Sequence, residues 1–215
     1  MIYWIKKLFG LVPSDDEIWA GMKSSGIEYL LGKQHNMVGH SKVPFENGGY
    51  LDLYYYPNDN GYSIATHELI EANGNGPSNK TYCAYEFCMF SSAKFDLSKA
   101  KDEKSHMGKS HNSLNVILNA LARYSFQAQL NPKETMEFPS ECEEELGGVC
   151  LIFDEYRKLG VGLMIGKKEY GLMVAIVVHR AEMEYARVNG TGKLIDLLKI
   201  NKIYPNSDLN RPSVV

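Results

Sequence analysis

Two strand-length runs with no polar face constrain this chain most. Thr81–Phe90 is mostly apolar at both alternating positions, and Leu172–Val178 is apolar throughout. Side chains alternate across a strand, so a run that is apolar at both parities fits a central strand covered on two sides. Leu172–Val178 is too short to cross a bilayer and reads as a buried strand. Covering both faces of a sheet takes a sizeable core. Of 215 residues, 44% are hydrophobic and 23% charged, ordinary globular proportions that exclude disorder of the whole chain.

The remaining elements follow from local signals. Ser14 with Glu17 three residues later has the form of a capping box, and Ile18, Trp19, Met22, Ile27, Leu30 and Leu31 supply apolar positions of a helix ending near Gly32. Before it, Trp4, Leu8 and Phe9 give the first dozen residues an apolar side, read as a short helix docking on the domain's own core. Gly48–Tyr56 and Tyr62–Leu69 read as a hairpin closed by the turn residues of Pro57–Gly61. Phe95–Ser110 is polar and reads as a loop or solvated helix edge. Leu114, Ile117, Leu118 and Leu121 have the spacing of a helix with one buried face, stopped by Asn131-Pro132. Gly147–Phe153 and Gly171–Val178 are short apolar strands. Ala181–Val188 and Lys193–Lys199 are helical, split at Asn189-Gly190, and Pro205–Val215 is an extended tail. Strands lie next to strands rather than alternating with helices. The class is therefore α+β, with a mixed, largely antiparallel sheet flanked by helices. Residues 1–44 are expected to be an N-terminal helical segment packing on the core, and 45–215 one compact domain.

Charge and motifs exclude more than they select. The net charge of −3 points to neither a nucleic-acid nor an anionic-membrane surface. The basic stretch Lys94–Lys109 is diluted by Asp96, Asp102 and Glu103. Four cysteines and an N-terminus whose apolar stretch is broken by Lys6 and Lys7 predict a reduced, cytoplasmic protein. His35 and His40, like His106 and His111, are five apart, a spacing that diverges on a helix and does not match the zinc-binding i, i+4 pair. Cys83 and Cys88 fall in the same expected strand at an odd spacing, on opposite faces. The segment Gly160-Val161-Gly162 is a lone GxG, and Gly166-Lys167-Lys168 lacks the rest of a phosphate loop. The doublet His67-Glu68 is the most acid/base-like feature, but neighbours on a strand face opposite ways. Glu182 and Glu184 likewise diverge on a helix. Glu141–Glu145 reads as an acidic, solvated face.

The positive anomaly is aromatic: 14 tyrosines, three of them consecutive at Tyr54-Tyr55-Tyr56. One parity must pack inside. The other is available to a partner, since tyrosine is enriched where proteins meet, or else both faces are covered.

Three stretches in order, Gly49–Pro57, Ile64–Leu69 and Tyr82–Met89, resemble the suppressor-of-fused pattern: an Asp-containing strand (Asp52), a Thr-x-Glu-Leu strand (Thr66, Glu68, Leu69) and a Tyr-x-Glu-aliphatic strand. Glu182–Ala186, Asn189-Gly190, Leu194–Leu198 and Asp208–Val214 are similar to bacterial members. The loops Asn73–Pro77 and Lys94–Ser110 depart from the pattern. The resemblance spans 45–215 and implies a mixed α/β fold without cofactor, metal or catalytic residues. The animal namesake holds a transcription factor by binding it, and bacterial members are regarded as immunity proteins that neutralise toxins. The resemblance thus implies a non-catalytic protein-binding domain whose partner is another protein, a toxin domain, with no nucleic-acid or membrane partner. Candidate contacts are Tyr54, Tyr56, Glu68, Glu143 and Glu144. The alternative is a small cytoplasmic hydrolase using a His67/Glu68 or Cys/His site.

Overall fold

A computed structural model describes residues 13–44, 50–142 and 146–215. The expected helix around Trp4, Leu8 and Phe9 and the candidates Glu143 and Glu144 lie outside the described residues.

Helix α1 (Asp15–Leu31) starts as its sequence dictates. The Glu17 amide donates to Ser14 Oγ at 3.1 Å, and the Ser14 amide donates back to Glu17 Oε2 at 2.6 Å. After it come β1 (Val38–Pro44), β2 (Tyr50–Asn58), β3 (Gly61–Thr66), β4 (Tyr85–Ser91), α2 (His106–Tyr124), β5 (Thr135–Glu137), β6 (Cys150–Glu155), β7 (Leu163–Ile165), β8 (Lys168–Val178), α3 (Arg180–Asn189) and α4 (Thr191–Ile200). Residues 38–44 therefore form a strand of the sheet rather than part of a helical segment ending at 44.

The sheet has eight strands in the order β1-β2-β3-β4-β8-β6-β5, with β7 paired to β8. All pairings are antiparallel except β4 with β8, where Tyr85 sits opposite Gly171 and Cys88 opposite Val174. This is the mixed, largely antiparallel α+β sheet expected. The β2–β3 hairpin pairs Leu53 with Thr66 and Asn58 with Gly61. Gly61 has φ 137°, and a side chain there would collide with the Ser91 carbonyl, so this turn requires glycine.

Both sheet faces are covered, as the apolar runs demand. On β8, Met173, Ala175 and Val177 enter one core, and Leu172, Val174, Ile176 and Val178 the other. The first core holds α2 through Leu114, Ile117, Leu118 and Leu121. The second holds α1 through Ile27, Leu30 and Leu31, and α3 and α4 through Met183, Leu194, Ile195 and Leu198. The tyrosine triplet divides the same way: Tyr55 faces α2, while Tyr56 lies in the opposite core with Tyr54 packed against it.

Helix α1 is tied to the sheet by charge as well as packing. Glu86, on the central strand β4, has no exposed area. Its carboxylate accepts from Lys23 Nζ at 3.3 Å, Thr66 Oγ1 at 2.7 Å, and the Leu69 and Ile70 amides at 3.2 and 2.9 Å. Lys23 also donates to the carbonyls of His67 and Ile70. Removing one partner of a buried, hydrogen-bonded ion pair costs about 3–5 kcal/mol because the other charge is stranded. We expect Lys23→Met to lower the unfolding free energy by that much, seen in urea as a lower midpoint with an unchanged slope. Lys23→Met combined with Glu86→Gln should cost less than the sum of the two single changes.

Candidate functional site

The chain leaves β3 at Thr66 instead of continuing as a strand, and this corrects the geometry expected of the Thr66-His67-Glu68 segment. Glu86 captures the amides of Leu69 and Ile70, which turns the chain. His67 is pulled inward. Its Nε2 lies 2.5 Å from Tyr56 Oη, and its ring stacks on Tyr54 with centroids 4.0 Å apart. Burial, then the Lys23 ammonium, pushes the imidazole pKa down to about 3.

Tyr56 is completely buried and bonded to His67, which corrects its reading as a partner contact. Tyr54 is half-buried, and burial, then Glu68, pushes its pKa up to about 12. Glu68 is exposed as a residue, yet its carboxylate accepts from the Asp52 and His67 amides. Partial desolvation, then Glu86, pushes its pKa up to about 8, against the screening of the water that reaches it. Tyr54 and Glu68 thus remain at the surface, on the sheet face opposite Tyr55.

The other titratable candidates disperse. Cys83 precedes β4 and is exposed, whereas Cys88 is buried and its thiol is pushed well up by desolvation. Glu182 is buried against Arg211 at 2.5 and 2.8 Å, while Glu184 pairs with Arg187 on the surface at 2.8 Å. His106 meets Asp208 at 3.0 Å. Among the described residues no cluster of His, Cys, Asp and Glu could hold a metal ion, and no helix is long and apolar enough to cross a membrane.

What the fold does build is a cleft of about 720 Å³ between α2 and the β1–β2 end of the sheet. Met37, Leu53, Val116, Ala120 and Leu146 give it an apolar lining. One wall is a polar ladder along α2: His111, Asn115, Asn119 and Arg123, spaced every fourth residue and so stacked on one face. The ladder is fixed by its own bonds. Tyr55 Oη donates to Asn115 Oδ1 at 3.1 Å, and the Tyr55 ring stacks on His111 at 5.6 Å. Asn115 Nδ2 donates to the His111 carbonyl at 2.6 Å, and Asn119 Nδ2 to the Asn115 carbonyl at 2.8 Å. Burial pushes the His111 pKa down. The Arg123 guanidinium stands at the rim and makes no ion pair among the described residues. An apolar lining with a few fixed polar groups is the general form of a ligand-holding cleft.

Sequence reading missed this ladder. Its signal was present as polar residues at every fourth position, but nothing in the sequence says what they face. The cleft also brings Cys142 together with His40 and His111, the kind of pair a hydrolase would need. No hydrogen bond joins Cys142 to either imidazole among the described residues, whereas nucleophile and base act within bonding reach of each other. Nor do His67 and Glu68 line the cleft.

His67 supplies a pH test. Between its ordinary value of 6.5 and about 3, the unfolded chain binds a proton that the folded chain refuses. Wild type should therefore lose stability relative to His67→Gln as pH falls through that window, by about 1.4 kcal/mol per pH unit. Urea titrations of both proteins across the window measure the difference. A difference that stays constant would mean that His67 protonates as readily folded as unfolded.

No protein-family model matches the sequence, and no curated protein is similar to it at a significant level. Solved structures are similar. The crystal structure of a Sufu–Fu complex matches with a TM-score of 0.56 at 14% identity, over 94% of this chain and 93% of that one. The crystal structure of Drosophila Suppressor of Fused matches with a TM-score of 0.51 at 14% identity, over 77% of this chain. The match spans 43% of the Drosophila chain, less than half its length. On these matches the chain has the suppressor-of-fused fold.

Proposed function

We propose that this protein is a non-catalytic protein-binding domain of the suppressor-of-fused type, and more specifically a cytoplasmic immunity protein that neutralises a toxin by holding it. The observation that carries the protein-binding reading is the fold match along almost the full length of both chains to a protein solved in complex with another protein. The toxin reading adds the similarity of Glu182–Ala186, Leu194–Leu198 and Asp208–Val214 to bacterial members.

The cleft beside α2 is the surface we assign to the partner. Its fixed amides and apolar lining suit a protein segment that brings both backbone polar groups and apolar side chains, and Arg123 suits a carboxylate on that segment. Tyr54 and Glu68 lie apart from the cleft and would form a second, peripheral contact. A hydrolase would need Cys142 within reach of His40 or His111, and the cleft supplies no such bond.

The test is to look for a toxin domain encoded beside this gene and co-express it with this protein, followed by co-purification and a measurement of growth rescue. Wild type should recover the partner. Arg123→Glu should weaken the complex about tenfold or more, since reversing a charge at an interface costs both the pair and the repulsion. Unchanged affinity in Arg123→Glu would move the contact away from the cleft. Failure of wild type to recover the adjacent toxin would overturn the immunity reading.

A further inference from the structure

We propose that the tight turn Lys158–Val161 is a docking finger, whose Leu159 side chain enters an apolar socket on the partner protein beside one of that partner's carboxylates. The proposal rests on the protein-binding reading above and adds a further contact, remote in the sequence from the cleft.

The turn is built to present one residue. Lys158 and Val161 exchange both backbone hydrogen bonds, each 3.0 Å, around a two-residue tip. The tip residues both have positive φ, 52° at Leu159 and 82° at Gly160. That backbone suits glycine, asparagine or aspartate, whereas leucine meets steric resistance there. Two other non-glycine residues share this conformation among the described residues, and both are lysines, Lys133 and Lys202. Leu159 alone puts an apolar side chain in it, and the side chain is 93% exposed. A local outlier of this kind is a reason to look for a function.

The finger is also rigid and flanked by suitable chemistry. Arg157 Nη1 donates to the Gly160 carbonyl at 3.2 Å, and the same guanidinium is held by Glu155 at 2.9 Å and Glu169 at 2.7 Å. Lys158 Nζ donates to the Tyr29 carbonyl at 2.9 Å and sits 5.5 Å over the centre of the Tyr29 ring. Tyr29 and Val161 are themselves partly exposed, so the leucine stands beside further apolar surface. A preformed turn loses little freedom on binding. Lys158 makes no ion pair among the described residues, and its unmatched charge selects a carboxylate at the border of the socket.

A lipid surface fits less well. The Arg157 charge is already met by two carboxylates, which leaves one leucine and one tethered lysine. Stable membrane attachment takes two substantial signals. The α2 cleft of a second copy fits less well too, because Arg123 at its rim carries the same charge as Lys158.

The experiment uses Leu159→Asn and Leu159→Gly in the full chain, with the purified toxin-domain partner as probe. Both variants relieve the positive-φ strain, so their melting temperatures should equal or exceed that of wild type. Both should bind the partner about tenfold to a hundredfold more weakly, the expected cost of losing one buried leucine. Partner affinity equal to wild type in both variants overturns the finger and leaves the protein-binding reading intact. If wild type itself does not bind the toxin domain, the immunity reading falls and the finger proposal falls with it. If the leucine changes instead abolish wild-type self-association in sedimentation, or wild-type binding to vesicles of phosphatidylcholine and phosphatidylserine, the socket is not on a partner protein and the proposal is wrong.

Discussion

The carboxylate of Glu86 is the point on which the architecture turns. It lies at the centre of the sheet with no exposed area, and an unpaired charge in that position would cost several kcal/mol. Four donors satisfy it, and each fixes a different part of the chain. Lys23 sets the position of α1 on the sheet. Thr66 Oγ1 locks the end of β3, and also accepts from the Phe87 amide at 2.9 Å to bind β3 to β4. The Leu69 and Ile70 amides fold the following loop back over the strand. His67 is driven under Tyr56 as a result, and Glu68 is left outside. A doublet that looks like acid/base chemistry in the sequence is split by the needs of another carboxylate.

A second set of polar contacts secures the other end of the molecule. Ser207 donates its amide to the Phe90 carbonyl at 2.9 Å, extending the edge of the central strand. Asp208 accepts from Ser91 Oγ at 2.8 Å and the Ser92 amide at 2.6 Å, and its Oδ1 meets His106 at 3.0 Å. The tail therefore clamps the end of β4 to the start of α2. Arg211 reaches Glu182 through two nitrogens, and the Val214 amide adds a bond of 3.0 Å to the same carboxylate. Positioning α2 against the sheet is what opens the cleft along His111, Asn115, Asn119 and Arg123. The cleft thus depends on residues distant from it in sequence.

Elements with a strong local signal were legible. The capping box of α1, the hairpin around Asp59-Asn60, the apolar strand β8 and the break at Gly190 between α3 and α4 all follow from neighbouring residues. Strands β1, β5 and β7 were not. They are short or polar, and only their partners make them strands: Val38 pairs with Tyr54, Thr135 with Ile152, and Leu163 with Tyr170. Helix α2 begins at His106, well before its apolar spacing starts. The cap that begins it, Ser105 Oγ accepting from the Gly108 amide at 2.9 Å, lies in a polar stretch without periodicity. Cys83 falls outside β4 because the strand begins only where Tyr85 finds Gly171 across the parallel ladder.

By itself, the sequence pointed to a sheet buried on both faces and flanked by helices, because strand-length runs apolar at both parities need cover on two sides. It also carried the order of strand motifs that resembles the suppressor-of-fused pattern. Tertiary structure decided which polar residues became a site. Whether Tyr56 is a surface contact or a core residue, whether His67 and Glu68 act together, and what the α2 ladder faces all depend on packing between segments far apart in the chain. Leu159 belongs to both. Its place next to Gly160 is written in the sequence, but only the folded backbone shows it held at positive φ and left almost wholly in water.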